Sequence, residues 1–150
     1  MKRHFHTFRL FAACMLAVLM FDCHNNSGLW NELPQKISEF ISQYYPNSSV
    51  NSYTHSSGTY HVRLTDGPGI TFDDKYFWIA VDGYGMPLPQ VLLFDQLPPK
   101  VYSYLQETQQ LNSVFSMQRD STRYSLTLLD SDLNYDIATE ELSSPRPPEP

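Results

Sequence analysis

The chain has 150 residues, of which 41% are hydrophobic and 14% aromatic, a composition that suits one folded domain and excludes a disordered chain. Its net charge is −6 at pH 7, whereas nucleic acids and anionic lipids attract positively charged protein surfaces. We therefore expect no nucleic-acid partner. The longest apolar run, Leu10–Phe21, is too short to cross a bilayer as a helix of the mature protein.

The first 22 residues have the composition of a secretory signal peptide. Basic residues precede the apolar segment Leu10–Phe21, which has the length that such a signal requires. Cys23 follows at the position where a bacterial lipobox places its lipidated cysteine, although Asp22 is unusual before such a cysteine. The sequence predicts removal of residues 1–22 and a lipid anchor on Cys23. Soluble export and an uncleaved anchor remain as alternatives.

The mature protein is thus expected in the envelope of a Gram-negative bacterium, in the periplasm or on the outer membrane, with its lipid as the only membrane contact. Cys14 leaves with the signal peptide, so Cys23 has no partner for an intrachain disulfide. We expect residues 23–32 to form a polar tether and the proline-rich residues 143–150 to form a disordered tail.

An internal repeat organises the remaining chain. A shift of 64 residues aligns Leu33–Asp66 with Leu97–Asp130 without a gap, and 10 of the 34 aligned positions are identical. We therefore interpret residues 33–142 as one domain made of two repeats, 33–85 and 97–142.

Each repeat is predicted to begin with a helix. Pro34 suits the first helical position, and apolar residues then recur at helical spacing from Ile37 to Tyr45. Val101 and Leu105 repeat this pattern in the second copy. The connection between the repeats is predicted to contain a short helical turn that packs on the core.

Strands are predicted after each helix. Tyr60–Leu64 and Tyr124–Leu128 alternate apolar and polar residues, which is the period of a half-buried strand. Phe77–Val81 alternates in the same way, and we expect every second residue from Phe77 to face the core. With a strand near Val50–His55, the first repeat is α-β-β-β-β and the second α-β-β-β. The predicted fold class is α+β, with two tandem α-β-β-β(-β) repeats forming one antiparallel sheet that carries two helices on one face.

The duplicated features resemble the PepSY-like family of exported bacterial proteins, which is also described as β-lactamase-inhibitor-like. They are the Leu-Pro opening, the amphipathic helix, the hairpin Tyr60–Gly67 and the following Phe72–Asp73, within a region from about Leu33 to Glu140. The resemblance implies an envelope protein with two α+β repeats that share one sheet. It implies binding of a ligand or protein and brings no enzymatic activity.

The residues themselves predict a protein that is not an enzyme and needs no cofactor. No serine lies in a Gly-x-Ser-x-Gly turn, and Cys23 lies outside the predicted domain. His55 is expected in a turn and His61 on the polar face of a strand, so neither is predicted to serve a nucleophile.

Calcium binding is the alternative function. From Asp130 to Asp136, residues with oxygen ligands alternate as they do in the first half of a calcium loop. Position 6 of this loop is Tyr135 instead of glycine, and position 12 is Glu141. Acidic residues at the tip of a hairpin would produce the same pattern without a metal. The candidate ligands are Asp130, Asp132, Asn134 and Asp136.

The face of the sheet without helices is the predicted binding surface. Side chains that alternate with the core positions should point to this face, and they include aromatic residues and an arginine, as interface hot spots do. We predict that an envelope protein or peptide binds there, with an inhibitor-like role as one form of this function. The predicted contact residues are Tyr53, His61, Arg63, Trp78, Phe115 and Met117.

Overall fold

Within residues 27–144, eight antiparallel strands form one sheet in which every strand lies beside its neighbours in the sequence. The computed structural model describes residues 27–144, so the predicted signal peptide, Cys23 and the last six residues lie outside the described part of the chain. The strands are β1 (Val50–Ser56), β2 (Thr59–Leu64), β3 (Gly69–Phe72), β4 (Trp78–Asp82), β5 (Val114–Arg119), β6 (Arg123–Leu128), β7 (Asp132–Asp136) and β8 (Leu142–Ser143).

Two long helices cover one face of this sheet, as predicted, and two shorter helices accompany them. Pro34 and Pro98 precede the long helices, where the lack of an N–H group costs no intrahelical hydrogen bond. The helices are α1 (Ser27–Glu32), α2 (Gln35–Tyr44), α3 (Gln90–Gln96) and α4 (Pro99–Glu107), followed by a 3₁₀ turn at Leu111–Ser113.

The two repeats bury equivalent positions. Ile37 and Ile41 of α2 are fully buried, and so are Val101 and Leu105 of α4, which lie 64 residues further along the chain. The starts of α4, β5 and β6 are displaced from those of α2, β1 and β2 by the same interval. The predicted α+β architecture, with one antiparallel sheet and helices on one face, is confirmed.

Three details differ from the sequence prediction or extend it. Residues 27–32, within the predicted tether, form α1, and Leu29 and Trp30 pack against the core. The second repeat has a fourth strand, β8, at the positions that correspond to the start of β4. The helical turn predicted between the repeats is α3, which buries Leu92 and Leu93 completely.

Two β-bulges occur at equivalent places in the repeats. In β1, Val50 pairs with Leu64 and Ser52 with Arg63, so Asn51 is an extra residue. In β5, the pairing likewise shifts between Val114 and Ser116, which leaves Phe115 as the extra residue. Since side chains alternate along a strand, each bulge exchanges the faces to which all later side chains of that strand point.

A third bulge affects β4 and has no counterpart in the second repeat. Thr71 pairs with Ala80 and Phe72 with Trp78, so the extra residue is Ile79. Trp78 and Val81 consequently both face the helices, and both are buried. The prediction that Phe77 and Ile79 face the core was therefore wrong: Phe77 is 54% exposed.

Candidate functional site

The inner face of the sheet is defined by a continuous apolar row across seven strands. Directly paired residues of antiparallel strands project to the same side, so the pairing identifies the members of each row. From β1 to β7 the row is Tyr53, Val62, Ile70, Val81, Met117, Leu126 and Leu133. All except the half-buried Tyr53 are buried, and this row forms the centre of the core beneath the helices.

The opposite face consists mainly of small and polar side chains, which lie in two rows. One row crosses all eight strands and contains Thr54, His61, Thr71, Ala80, Gln118, Ser125, Asn134 and Ser143. The other contains Ser52, Arg63, Gly69, Asp82, Ser116, Thr127 and Asp132. We call this side of the sheet, defined by these two rows, the open face.

Two shallow depressions on the open face form a continuous trough. The first has a volume of about 260 Å³ and the second of about 340 Å³. Ala80 and Gln118 line both, which joins them near the middle of the sheet. The trough therefore crosses the sheet from β1 to β6 and is too open to enclose a small molecule.

Arg63 and Tyr84 form the wall of the first depression. The guanidinium Cζ of Arg63 lies 3.7 Å from the centroid of the Tyr84 ring, which is a cation–π contact. Tyr84 has a left-handed backbone with a φ of 49°, and its backbone N–H donates a 2.7 Å hydrogen bond to Asp82 Oδ1. The ring lies so close over Gly69 that a Cβ there would be 2.8 Å from Tyr84 Cε2. Glycine at position 69 thus provides the space that the ring occupies.

His61 is held in the adjoining row by two hydroxyl groups. Its Nδ1 is 3.1 Å from Thr71 Oγ1, and its Nε2 is 3.1 Å from Thr59 Oγ1. The imidazole is exposed and bonds neither a carboxylate nor a serine of the described residues. This environment orients the ring as a polar surface group.

The second depression is lined by Arg119, Asp120 and Arg123 at the other end of the trough. The Arg119 guanidinium lies 4.3 Å from the Trp78 ring centroid, and its Nε–H donates a 2.7 Å hydrogen bond to the Trp78 carbonyl oxygen. Asp120 Oδ1 accepts hydrogen bonds from the backbone N–H groups of Thr122 and Arg123, at 2.7 and 3.0 Å. The Thr122 hydroxyl donates a further 2.7 Å hydrogen bond to the same oxygen, and this bond, together with the two backbone bonds, holds the pKa of the Asp120 carboxyl below its usual value.

The structure brings together only part of the predicted contact set. His61 and Arg63 lie on the open face as predicted, on neighbouring positions of β2. Phe115 is half-buried at the bulge of β5, where its carbonyl oxygen accepts a 2.8 Å hydrogen bond from the Gly83 N–H.

The other three predicted contact residues belong to the helix-covered side. Tyr53 and Met117 pair with the core residues Val62 and Leu126, because each follows a bulge that exchanges the two faces of its strand. Trp78 is buried, and its indole N–H donates a 2.6 Å hydrogen bond to Gln96 of α3. The prediction that these three side chains form an exposed aromatic surface was therefore wrong.

Sequence reasoning missed Tyr84, Ala80 and Gln118. Tyr84 lies between two glycines, which is the one local signal that the chain turns sharply there. Ala80 and Gln118 could be assigned to the trough only with the bulge positions known, because their faces depend on the register of β4 and β5.

The predicted calcium ligands do not form a loop. Asp132, Asn134 and Asp136 lie on the extended strand β7, where alternate residues are about 6.6 Å apart. Asp136 Oδ1 accepts hydrogen bonds from the N–H group of Thr139 and from that of Ala138, which lower the pKa of its carboxyl. Asp130 is exposed in the preceding turn. Within residues 27–144, no group of three or more acidic, histidine or cysteine side chains is arranged to hold a metal ion.

No helix within residues 27–144 combines the length and the apolar character needed to cross a bilayer. The described part of the chain is thus a two-layer α+β domain with a polar trough on the open face of its sheet.

This architecture is that of a known family of bacterial proteins. A family model described as "Putative beta-lactamase-inhibitor-like, PepSY-like" matches residues 58–141, more than half of the chain. The protein belongs to this PepSY-like family, as the sequence resemblance predicted. No curated protein matches the chain at a significant level.

Solved structures from Bacteroides species share the fold. A "putative calcium-regulated periplasmic protein" from Bacteroides thetaiotaomicron is 24% identical, with a TM-score of 0.63 over 76% of this chain and 90% of its own. A "putative periplasmic protein" of the DUF2874 family from Bacteroides vulgatus is 22% identical, with a TM-score of 0.62 and the same coverage. A further "putative periplasmic protein of unknown function" from Bacteroides vulgatus is 22% identical, with a TM-score of 0.59 over 75% of this chain and 93% of its own.

Proposed function

We propose that this protein is a non-enzymatic component of the bacterial envelope that binds a protein or peptide through the open face of its sheet. The observation that carries the proposal is the continuous trough on that face. An uncovered sheet face is ordinary in an antiparallel sheet and needs no partner. A trough floored by small side chains and walled by a stacked arginine and tyrosine is a more specific feature, because it combines an accessible floor with oriented donors.

The chemistry of the trough favours binding over catalysis. Hydroxyl, amide and guanidinium groups line it, and a peptide backbone offers the complementary acceptors and donors. The histidines of the described residues are not arranged as catalytic bases, since His61 bonds two threonine hydroxyls and His55 stacks on Tyr60 at 4.0 Å. An inhibitor role, in which the bound partner is itself an enzyme, is the form of this function that the family description suggests.

The proposed location is the periplasmic side of the envelope, with a lipid on Cys23. The composition of residues 1–22 and the position of Cys23 support export and lipidation. The description of the structurally similar proteins as periplasmic agrees with this location. Mass spectrometry of the mature N-terminus tests the anchor: a diacylglyceryl or triacyl modification on Cys23 supports it, and an unmodified cysteine or an intact signal peptide contradicts it.

Site-specific photo-cross-linking in intact cells tests the binding face. Gln118 is exposed, lines both depressions and makes no side-chain hydrogen bond within the described residues, so a photo-reactive amino acid there samples the trough without disturbing the core. Gln106 of α4 is a matched control, since it is an exposed glutamine on the helix-covered side.

We expect one discrete adduct from position 118 and none from position 106. The partner identified in this way should bind the purified protein, and Gln118→Trp should weaken that binding at least tenfold while Gln106→Trp leaves it unchanged. Equal cross-linking from both positions, or undiminished binding by Gln118→Trp, would contradict the proposal.

A further inference from the structure

The guanidinium group of Arg63 is positioned but not paired. Its flat face stacks on Tyr84 at 3.7 Å, and no carboxylate of the described residues forms an ion pair with it. The five N–H donors of arginine lie in the plane of the guanidinium and project from its edge, so stacking leaves them available. Arg63 is half-buried in the trough, which limits the water that competes for these donors.

The nearest acidic residue of the same row is kept apart from Arg63. Asp82 lies on β4, and Gly69 of the intervening strand β3 separates the two positions. The Tyr84 ring fills the space above Gly69, and Asp82 Oδ1 is engaged by the Tyr84 N–H. Tyr84 thus donates a hydrogen bond to Asp82 and provides the aromatic ring on which Arg63 stacks.

At the other end of the trough, too, an acidic side chain is engaged by hydrogen bonds within its own turn. Asp120 accepts three hydrogen bonds through Oδ1 within its own turn, and the exposed Arg123 lies opposite Asp136 of β7 without forming a close ion pair with a described residue. Of the three arginines of residues 27–144, Arg63 and Arg123 lie on the open face, whereas the guanidinium of Arg119 packs on the buried Trp78. Two arginines without a close ion pair therefore lie on the face that is proposed to bind a partner, in a protein whose net charge is −6.

We propose that Arg63 binds the carboxylate of an aspartate or glutamate side chain carried by the segment that lies in the trough. This inference rests on the proposed function and adds the chemistry of the partner. A planar guanidinium with free edge donors matches the two oxygens of a carboxylate in a bidentate geometry. A side chain is the source, and not a chain terminus, because the trough continues past Arg63 through Ala80 and Gln118 towards Arg123.

The test uses NMR of the ¹⁵N-labelled protein, with the Nε–Hε signal of Arg63 and the amide signals of Thr71 and Ala80 as reporters. Three probe peptides are titrated to about 20 mM: acetyl-Thr-Glu-Thr-amide, acetyl-Thr-Gln-Thr-amide and acetyl-Thr-Gln-Thr with a free carboxyl terminus. We expect saturable shifts with the glutamate peptide and binding at least tenfold weaker for both others.

Arg63→Gln should abolish the saturable shifts of Thr71 and Ala80. Lys75→Gln should retain them, since it removes the same charge from an exposed turn that does not line the trough. No saturable shift with the glutamate peptide, equal shifts with acetyl-Thr-Gln-Thr-amide, or unchanged binding by Arg63→Gln would overturn the inference. Preference for the free carboxyl terminus would overturn the assignment to a side chain.

Binding of the partner captured through position 118 distinguishes a failure of this inference from a failure of the proposed function. If Arg63→Gln binds that partner as tightly as the wild-type protein does, the open face is still the binding surface, and the proposed contact between Arg63 and a carboxylate is wrong. If the glutamate peptide binds through Arg63 while position 118 captures no partner, the trough recognises carboxylates and the proposed protein partner is wrong.

Discussion

Asn51 and Phe115 lie 64 residues apart, and each is the extra residue of a β-bulge at the same place in its repeat. Bulges increase the local twist of a strand and reverse the alternation of its side chains. Their duplication explains why Tyr53 and Met117 both point towards the helices. The polar character of the open face therefore depends on the positions of these two bulges, although neither Asn51 nor Phe115 belongs to the two polar rows of that face.

The buried position of Met117 leads to the first prediction. Met117 is fully buried in the central apolar row, so Met117→Ala should lower the free energy of unfolding by about 2–5 kcal/mol through lost burial and a residual cavity. The neighbouring Gln118 is exposed on the other face, and Gln118→Ala should change the free energy of unfolding by less than about 0.5 kcal/mol. Urea denaturation of both variants checks the assignment. Equal effects would place Met117 on the open face after all.

Two adjacent tyrosines should respond in opposite directions to the same substitution. Tyr44 OH accepts a 2.7 Å hydrogen bond from Gln96 Nε2 and donates one of 3.2 Å to Asp95. Tyr44→Phe should therefore lower the free energy of unfolding by about 1–2 kcal/mol, since it leaves Gln96 without this acceptor.

Tyr45 OH is buried and has no hydrogen-bond partner among residues 27–144. Tyr45→Phe removes this unsatisfied group and should raise the free energy of unfolding by up to about 1 kcal/mol. Urea denaturation at pH 7 measures both variants. The environment of the Tyr45 hydroxyl would need revision if its removal destabilised the protein as much as Tyr44→Phe does.

Tyr45 also predicts a dependence on alkaline pH. Burial raises the pKa of the Tyr45 hydroxyl well above its usual value of 10.0. The unfolded chain releases this proton near pH 10, while the native protein still holds it. Above that pH the unfolded state binds fewer protons, so the contribution to stability is complete below pH 10 and is lost as the pH rises towards the native pKa.

Tyr45→Phe eliminates this contribution and leaves the other tyrosines in place. The advantage of the variant over the wild-type protein should therefore grow between about pH 9 and pH 11. Denaturation at several alkaline pH values measures the difference. A difference that stays constant over this range would contradict the raised pKa.

The contact between Gly69 and Tyr84 predicts an energetic coupling. Gly69→Ala places a methyl group about where the Tyr84 ring lies, so it should displace the ring and destabilise the protein by about 1 kcal/mol. In a Tyr84→Ala background the same change meets no ring and should cost less. A double-mutant cycle should thus give a coupling of more than about 0.5 kcal/mol, and additive effects would contradict the close packing.

Calcium should have little effect on this protein. The carboxylates of Asp132 and Asp136 lie on one extended strand with Asn134 between them, too far apart to share an ion that binds oxygens at about 2.3–2.6 Å. Calorimetric titration should give no heat of binding, and calcium in millimolar excess should leave the melting temperature unchanged. A calcium-dependent rise in melting temperature that Asp132→Asn abolishes would restore the calcium-binding alternative.

Much of the fold is readable from the sequence because local patterns determine it. Pro34 and Pro98 mark helix starts, the stripe from Ile37 to Ile41 recurs at Val101 and Leu105, and alternation identifies β2 and β6. The duplication extends each observation to a second copy. The open face was predicted correctly as a surface, and His61 and Arg63 were placed on it because β2 has no bulge before them.

Tertiary structure decided which other side chains share that surface. A bulge is stabilised by hydrogen bonds to the neighbouring strand and has no recognisable sequence pattern in its own strand. The face of the sheet to which Tyr53, Trp78 and Met117 point could therefore not be derived from alternation. The site for Tyr84 likewise depends on Gly69, a residue of another strand. Periodicity along the chain therefore determined the elements and their repeat, while pairing between strands determined which groups form the trough.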